Sequence, residues 1–118
     1  MREKIRDKDR LRHILDAVCV ILERKGHYTL EEIQENPIVF FGFVKHVEII
    51  GEAVYMLTPE FRMAHPEVEW DVIEGMRHVL VHGYYKIKPK QLWLTMENDI
   101  PKLKPWIELY LRETDSVE

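Results

Sequence analysis

The 118-residue chain gathers its most reactive side chains between Arg77 and Tyr85. An arginine is followed after four residues by a histidine and, after one more, by a tyrosine: Arg77-His78-Val79-Leu80-Val81-His82-Gly83-Tyr84. Histidine is the side chain best matched to proton transfer near neutral pH. Arginine is a permanent planar cation whose fork grips phosphate oxygens. Together they suffice, in principle, to cleave RNA without a metal. The histidine takes the proton of a ribose 2′-hydroxyl, that oxygen attacks the adjacent phosphorus, and the guanidinium stabilises charge in the transition state. The products would be a 2′,3′-cyclic phosphate and a free 5′-hydroxyl. DNA lacks the nucleophile and would be spared.

The surrounding charge agrees with an anion handled here. The chain is acidic overall, with 17 Lys and Arg against 21 Asp and Glu, a net charge of −4. That excess argues against broad, salt-driven adhesion to nucleic acid. Yet the 20 residues from Arg77 to Met96 contain no Asp or Glu, where three to four would fall by chance, and they hold Arg77, Lys86, Lys88 and Lys90. Lys86 and Lys88 could guide an RNA backbone beside the motif; a solvated loop is the competing reading.

The elements that must position these residues are helical. Leu11, Ile14, Leu15, Val18, Ile21 and Leu22 recur at three- and four-residue steps and predict a helix over Lys4–Lys25, closed by Gly26 in a left-handed cap. Thr29-Leu30-Glu31-Glu32 matches a capping box for a short second helix before Pro37. Phe40, Phe43, Val44, Val47, Ile50, Val54 and Leu57 line a third over Val39–Leu57, with Phe41 adding apolar surface outside the stripe. Thr58-Pro59 reads as a helix start. The motif helix is expected over Glu67–His82, with Trp70, Ile73, Met76 and Leu80 inward and Gly83 as its stop. Pro89 can open a further helix through Asn98, and Asp99 and Pro101 mark a break or kink before a last segment ending near Arg112.

This pattern predicts an all-α fold, an antiparallel helical bundle of four to five main helices in one domain over residues 1–118, with residues 113–118 a frayed tail. No apolar run reaches the roughly 20 residues of a membrane helix. The first ten residues lack a signal-peptide core, so a cytoplasmic protein is expected. The single cysteine, Cys19, excludes an internal disulfide framework and reads as a buried small hydrophobe among apolar neighbours.

One geometric problem stands out. Residues five apart on an ideal helix differ by about 140° in direction. Arg77 and His82 therefore do not share a face of one regular helix. An unwound end near Gly83, or a second copy of the helix across a two-fold axis, could unite them, and the second is preferred because it would also cover the extra apolar surface.

The residues resemble a known family. Arg77 to Tyr84 is similar to the R-x4-H-x-Y motif of HepT-like toxins, a branch of the HEPN superfamily. Ile50-Gly51-Glu52-Ala53 resembles the signature of the preceding long helix, and Trp70 to Met76, Leu92-Trp93 and Asp99 to Leu103 resemble its lead-in and ending. The likeness runs from Leu11 to about Leu111. It implies a HEPN-like two-fold homodimer whose motifs meet in an interface cleft. It also implies a metal-independent endoribonuclease, the toxin of a type VII toxin–antitoxin pair, with a small nucleotidyltransferase as antitoxin. Carried over, Arg77 and His82 are the catalytic pair, and Tyr84 is the residue that receives AMP. Many relatives have asparagine where this chain has His78, which could assist catalysis or hydrogen-bond in the cleft. Tyr85 adjoins Tyr84 as a second possible acceptor.

Each residue also has a structural reading. His82 could cap the negative end of its helix. Arg77 could pair with Glu52 or Glu74, and Glu52 could in turn orient a motif side chain. Tyr84 could simply pack. Glu74, His78 and His82 form an i, i+4, i+8 stripe, but nothing completes a coordination sphere, so no metal and no cofactor are expected. His13, His27, His46 and His65 read as ordinary surface or packing residues, and Trp70, Trp93 and Trp106 as core. The rival functional class is a non-catalytic module, holding a nucleotide or substrate for a nucleotidyltransferase.

Overall fold

A computed structural model of the chain describes the backbone over residues 2–82 and 87–117 and side chains over residues 6–76 and 87–114. The described residues form α1 (Arg2–Lys25), α2 (Leu30–Glu35), α3 (Pro37–Tyr55), α4 (Pro59–Ala64), α5 (Trp70–His82), α6 (Pro89–Leu94), a π-helical turn (Thr95–Asp99) and α7 (Ile100–Val117). No strand occurs among them. The long helices α1, α3, α5 and α7 make the expected all-α bundle. Among the described residues, no helix is long and apolar enough to cross a membrane.

The apolar stripes read from the sequence become the core. Leu11, Ile14, Val18 and Ile21 of α1 are fully buried between α3 and α7. Val47, Ile50 and Val54 face them from α3, whose other side packs on α5. Ile100, Leu103, Ile107 and Tyr110 close the layer from α7. Truncating one such residue, Ile14→Ala for example, would cost about 2–5 kcal/mol.

Local starts behave as the side chains dictate. Thr29 and Glu32 complete the reciprocal capping box at 3.2 and 2.9 Å. Asn36 caps α3 through the Ile38 and Val39 amides, with Pro37 in the first turn, so α3 begins before the expected Val39.

Three expectations are corrected. Cys19 is exposed, because it follows buried Val18 by one residue, a rotation of about 100° that carries it off the stripe. Trp106 is 37% exposed and lies over Tyr110 instead of joining the core. Gly26 does not adopt the left-handed conformation: α1 ends through amide bonds from His27 to Arg24 and from Tyr28 to Lys25. Where a break or kink is expected at Asp99 and Pro101, the helix changes its hydrogen-bond pattern without a loop. The π-helical turn carries the chain into α7 with the Ile100 amide bonded to Thr95, and Pro101 and Pro105 lie on the exposed side, where water can satisfy freed carbonyls. The helix continues to Val117, and the Thr114 hydroxyl donates to the Tyr110 carbonyl at 2.8 Å.

Candidate functional site

Helix α5 carries Arg77 and His82, and its first turns are secured by three separate contacts. The first begins in α1. The Asp7 carboxylate is buried and accepts from both the amide and the hydroxyl of Thr58, at 2.8 and 2.7 Å. The same hydroxyl accepts from the Phe61 amide at 3.2 Å and so caps α4. The second is a fork. The Arg62 guanidinium of α4 donates to Glu74 at 2.6 Å and to Asp71 at 2.7 Å, tying α4 to two successive turns of α5. The third is aromatic. His65 stacks on Phe61 with centroids 4.0 Å apart and meets Tyr110 edge-on at 4.4 Å, while the Trp70 indole donates to the His65 carbonyl at 2.8 Å.

Tyr110 closes this cluster from α7. Its hydroxyl donates to Glu67 at 2.7 Å. Burial raises the phenol above its ordinary range, and the bond to Glu67 with its negative charge raises it further.

The distal half of α5 presents the motif. The helix is unbroken from Trp70 to His82. Positions 77 and 82 therefore stand about 140° apart around its axis and about 7.5 Å apart along it. The side chains of Arg77, His78 and His82 lie outside the described residues, as do Tyr84, Tyr85 and Lys86 entirely. Lys88 is exposed at the residue before Pro89, where α6 begins. Lys90 is exposed in the first turn of that helix. Glu52 is exposed on α3. It borders a cleft of about 150 Å³ between α1 and α3, with Arg10, His13, Lys45 and Glu48. The Nε of Arg10 is buried there without a hydrogen-bond partner. Glu74, one of the two carboxylates expected to pair with Arg77, is held by Arg62. Among the described residues no cluster of three His, Cys, Asp or Glu could hold a metal ion; the Glu74, His78 and His82 stripe extends beyond them.

A larger open groove, about 1170 Å³, runs beside the start of α5. Tyr55, Met63 and Val72 line it and are 51%, 82% and 53% exposed. Glu60, Glu69, Asp71 and Glu74 rim it. Sequence reasoning missed this groove, the Asp7–Thr58 pair and the Arg62 fork. All three join residues of different elements, and no local pattern announces them.

Comparison with known proteins now bears on the motif. The family model "Ribonuclease HepT-like" matches residues 11–109. "Putative RNase TTE0752" of Caldanaerobacter subterraneus is 36% identical over 103 residues, covering 87% of this chain and 92% of its own length. "Probable ribonuclease HepT" of Thermococcus cleftensis is 34% identical over 97 residues, 82% and 88% of the two chains. "Putative RNase MJ1380" of Methanocaldococcus jannaschii is 30% identical over 96 residues, 81% and 88%. No solved structure matches the chain. With the matched span taking in nearly all of the bundle core and the motif from Arg77 to Tyr84, the chain belongs to the HepT-like ribonuclease family.

Proposed function

We propose that this chain is a metal-independent endoribonuclease acting as the toxin of a type VII toxin–antitoxin pair. His82 removes the 2′-hydroxyl proton, the 2′-oxygen attacks phosphorus, and the 5′-oxygen leaves with a proton returned from the site. Arg77 holds the phosphate oxygens as negative charge accumulates. His78 and Glu52 support the pair, and Lys86 and Lys88 follow the RNA backbone. AMP placed on Tyr84 by a partner nucleotidyltransferase silences the site by filling the cleft with a bulky anion that repels RNA.

The observation that carries this reading is the unbroken helix through His82, within a chain of a ribonuclease family. Proton transfer requires the imidazole within hydrogen-bond reach of its substrate. Positions on opposing faces of one helix serve a single phosphodiester poorly, whereas two copies of α5 across a two-fold axis supply Arg77 from one and His82 from the other.

The test is RNA cleavage by purified protein in EDTA. Wild-type cleavage that disappears in both Arg77→Ala and His82→Ala supports the enzyme. Clean preparations that bind nucleotide and leave RNA intact would replace it with the binding-module reading. Co-expression with a neighbouring nucleotidyltransferase should add about 329 Da per AMP at Tyr84.

A further inference from the structure

The cleft between α1 and α3 gathers polar groups that, Glu52 apart, the proposed cleavage leaves unused. Arg10 and His13 stand about one turn apart on α1, and Lys45 and Glu48 line the cleft from α3. Ile49 and Ala53 complete its wall. Its volume of about 150 Å³ equals the share of roughly five water molecules.

The group that calls for a ligand is the Arg10 Nε, which is buried and has no hydrogen-bond partner. An arginine Nε keeps its proton and only donates, and a buried donor without an acceptor is costly. Two carboxylates share the cleft, yet neither accepts from this nitrogen. Glu48 takes Lys45 instead, at 3.5 Å, with the lysine side chain 64% exposed. Such a long, solvated pair is weak and can exchange partners.

Nε and one Nη form a side-on fork whose spacing matches two oxygens of a phosphate. His13 adds a ring N–H from the same helix, and Lys45 an ammonium from the other. A bare anion would meet repulsion from Glu48, whereas a carboxylate accepts readily from a hydroxyl. A ribose phosphate carries both groups. The cleft is well below the roughly 300–1,000 Å³ of pockets that enclose larger ligands, so it has room for sugar and phosphate with the base outside.

We propose that this cleft binds a ribose phosphate unit, with the Arg10 fork, His13 and Lys45 on the phosphate and Glu48 on a sugar hydroxyl. With the base outside, the site reads the backbone and ignores the sequence. The unit occurs both in an RNA strand and in a free nucleotide. In an RNA strand it deepens the ribonuclease reading and rests on it, since the cleft then holds substrate through helices other than α5. As a free nucleotide it is independent of that reading.

The test is a titration of the full chain followed by NMR at the His13 ring. Ribose 5-phosphate should shift its signals saturably and bind at least about fivefold more tightly than inorganic phosphate. Arg10→Lys keeps the charge but loses the fork, and should weaken ribose 5-phosphate at least about fivefold. Lys45→Met should weaken it about threefold. Glu48→Ala should erase the preference over inorganic phosphate. Lys45 is exposed, so its variant decides the question even where an Arg10 variant fails to fold. An RNA trinucleotide added to the His82→Ala chain separates the two sources. Binding at least about tenfold tighter than ribose 5-phosphate, and weakened by Arg10→Lys, assigns the cleft to the RNA strand. RNA binding that ignores Arg10→Lys assigns it to a free nucleotide. No saturable shift at His13, equal affinity for inorganic phosphate, or affinity unchanged in Lys45→Met and Arg10→Lys would overturn the proposal. Ribose 5-phosphate binding needs no cleavage, so a chain that binds it yet cuts no RNA loses the ribonuclease reading alone. A chain that cuts RNA without the His13 response loses only this site.

Discussion

Asp7 takes both the amide and the hydroxyl hydrogen of Thr58, 51 residues away, at 2.8 and 2.7 Å. One carboxylate in α1 thereby holds the residue that caps α4, and α4 in turn grips α5 through Arg62. The start of the motif helix is tied to the N-terminal helix by a chain of polar contacts.

Asp7→Ala should therefore destabilise the fold by about 1.5–3 kcal/mol, because it strands two buried donors. Thr58→Ala should cost a similar amount, and the double variant should cost clearly less than the two together. Urea denaturation of the three variants measures this. Additive losses would mean that the two residues act separately.

Arg62→Met keeps most of the stem packing and removes the fork. It should cost about 1 kcal/mol, since one partner, Asp71, is fully exposed and the other partly so. Its signature is local. Amide exchange should speed up in α4 and in the first turns of α5 while the α1 and α7 cores stay protected. Uniform acceleration across the chain would contradict the assigned role.

Tyr110 sets an alkaline limit on stability. Its folded-state proton is held more tightly than the unfolded phenol's, which leaves near pH 10. Above that pH the native state binds more protons than the unfolded state, so stability falls as pH rises. Below it the contribution is fully present. Tyr110→Phe should flatten that alkaline decline and cost about 1 kcal/mol at pH 7 through the lost bond to Glu67. Urea midpoints between pH 8 and 11 report both effects.

A composite two-fold site makes a prediction about mixtures. Arg77→Ala and His82→Ala should each be inactive alone. Unfolded together and refolded at equal amounts, they form about half heterodimers, each with one intact Arg77–His82 pair of two, so about a quarter of wild-type cleavage should return. Persistent inactivity would place both residues of each site on one chain.

Much of the architecture is legible because helical period and capping chemistry are local. The stripe from Leu11 to Ile21, the Thr29–Glu32 box and the Thr58-Pro59 start each depend on residues within a few positions, and each appears where expected. The motif from Arg77 to Tyr84 is equally visible, since its residue types and spacing carry its chemistry.

Period alone says which face is apolar and leaves open what covers it. Cys19 sits among apolar residues in sequence yet faces outward, and Trp106 lies half over Tyr110, because burial depends on the neighbouring helix. Asp7 with Thr58, Arg62 with Asp71 and Glu74, and the groove that opens beside Val72 were decided by tertiary structure. Their partners come from separate helices, and only packing α1, α4 and α5 together brings those charges within bonding distance.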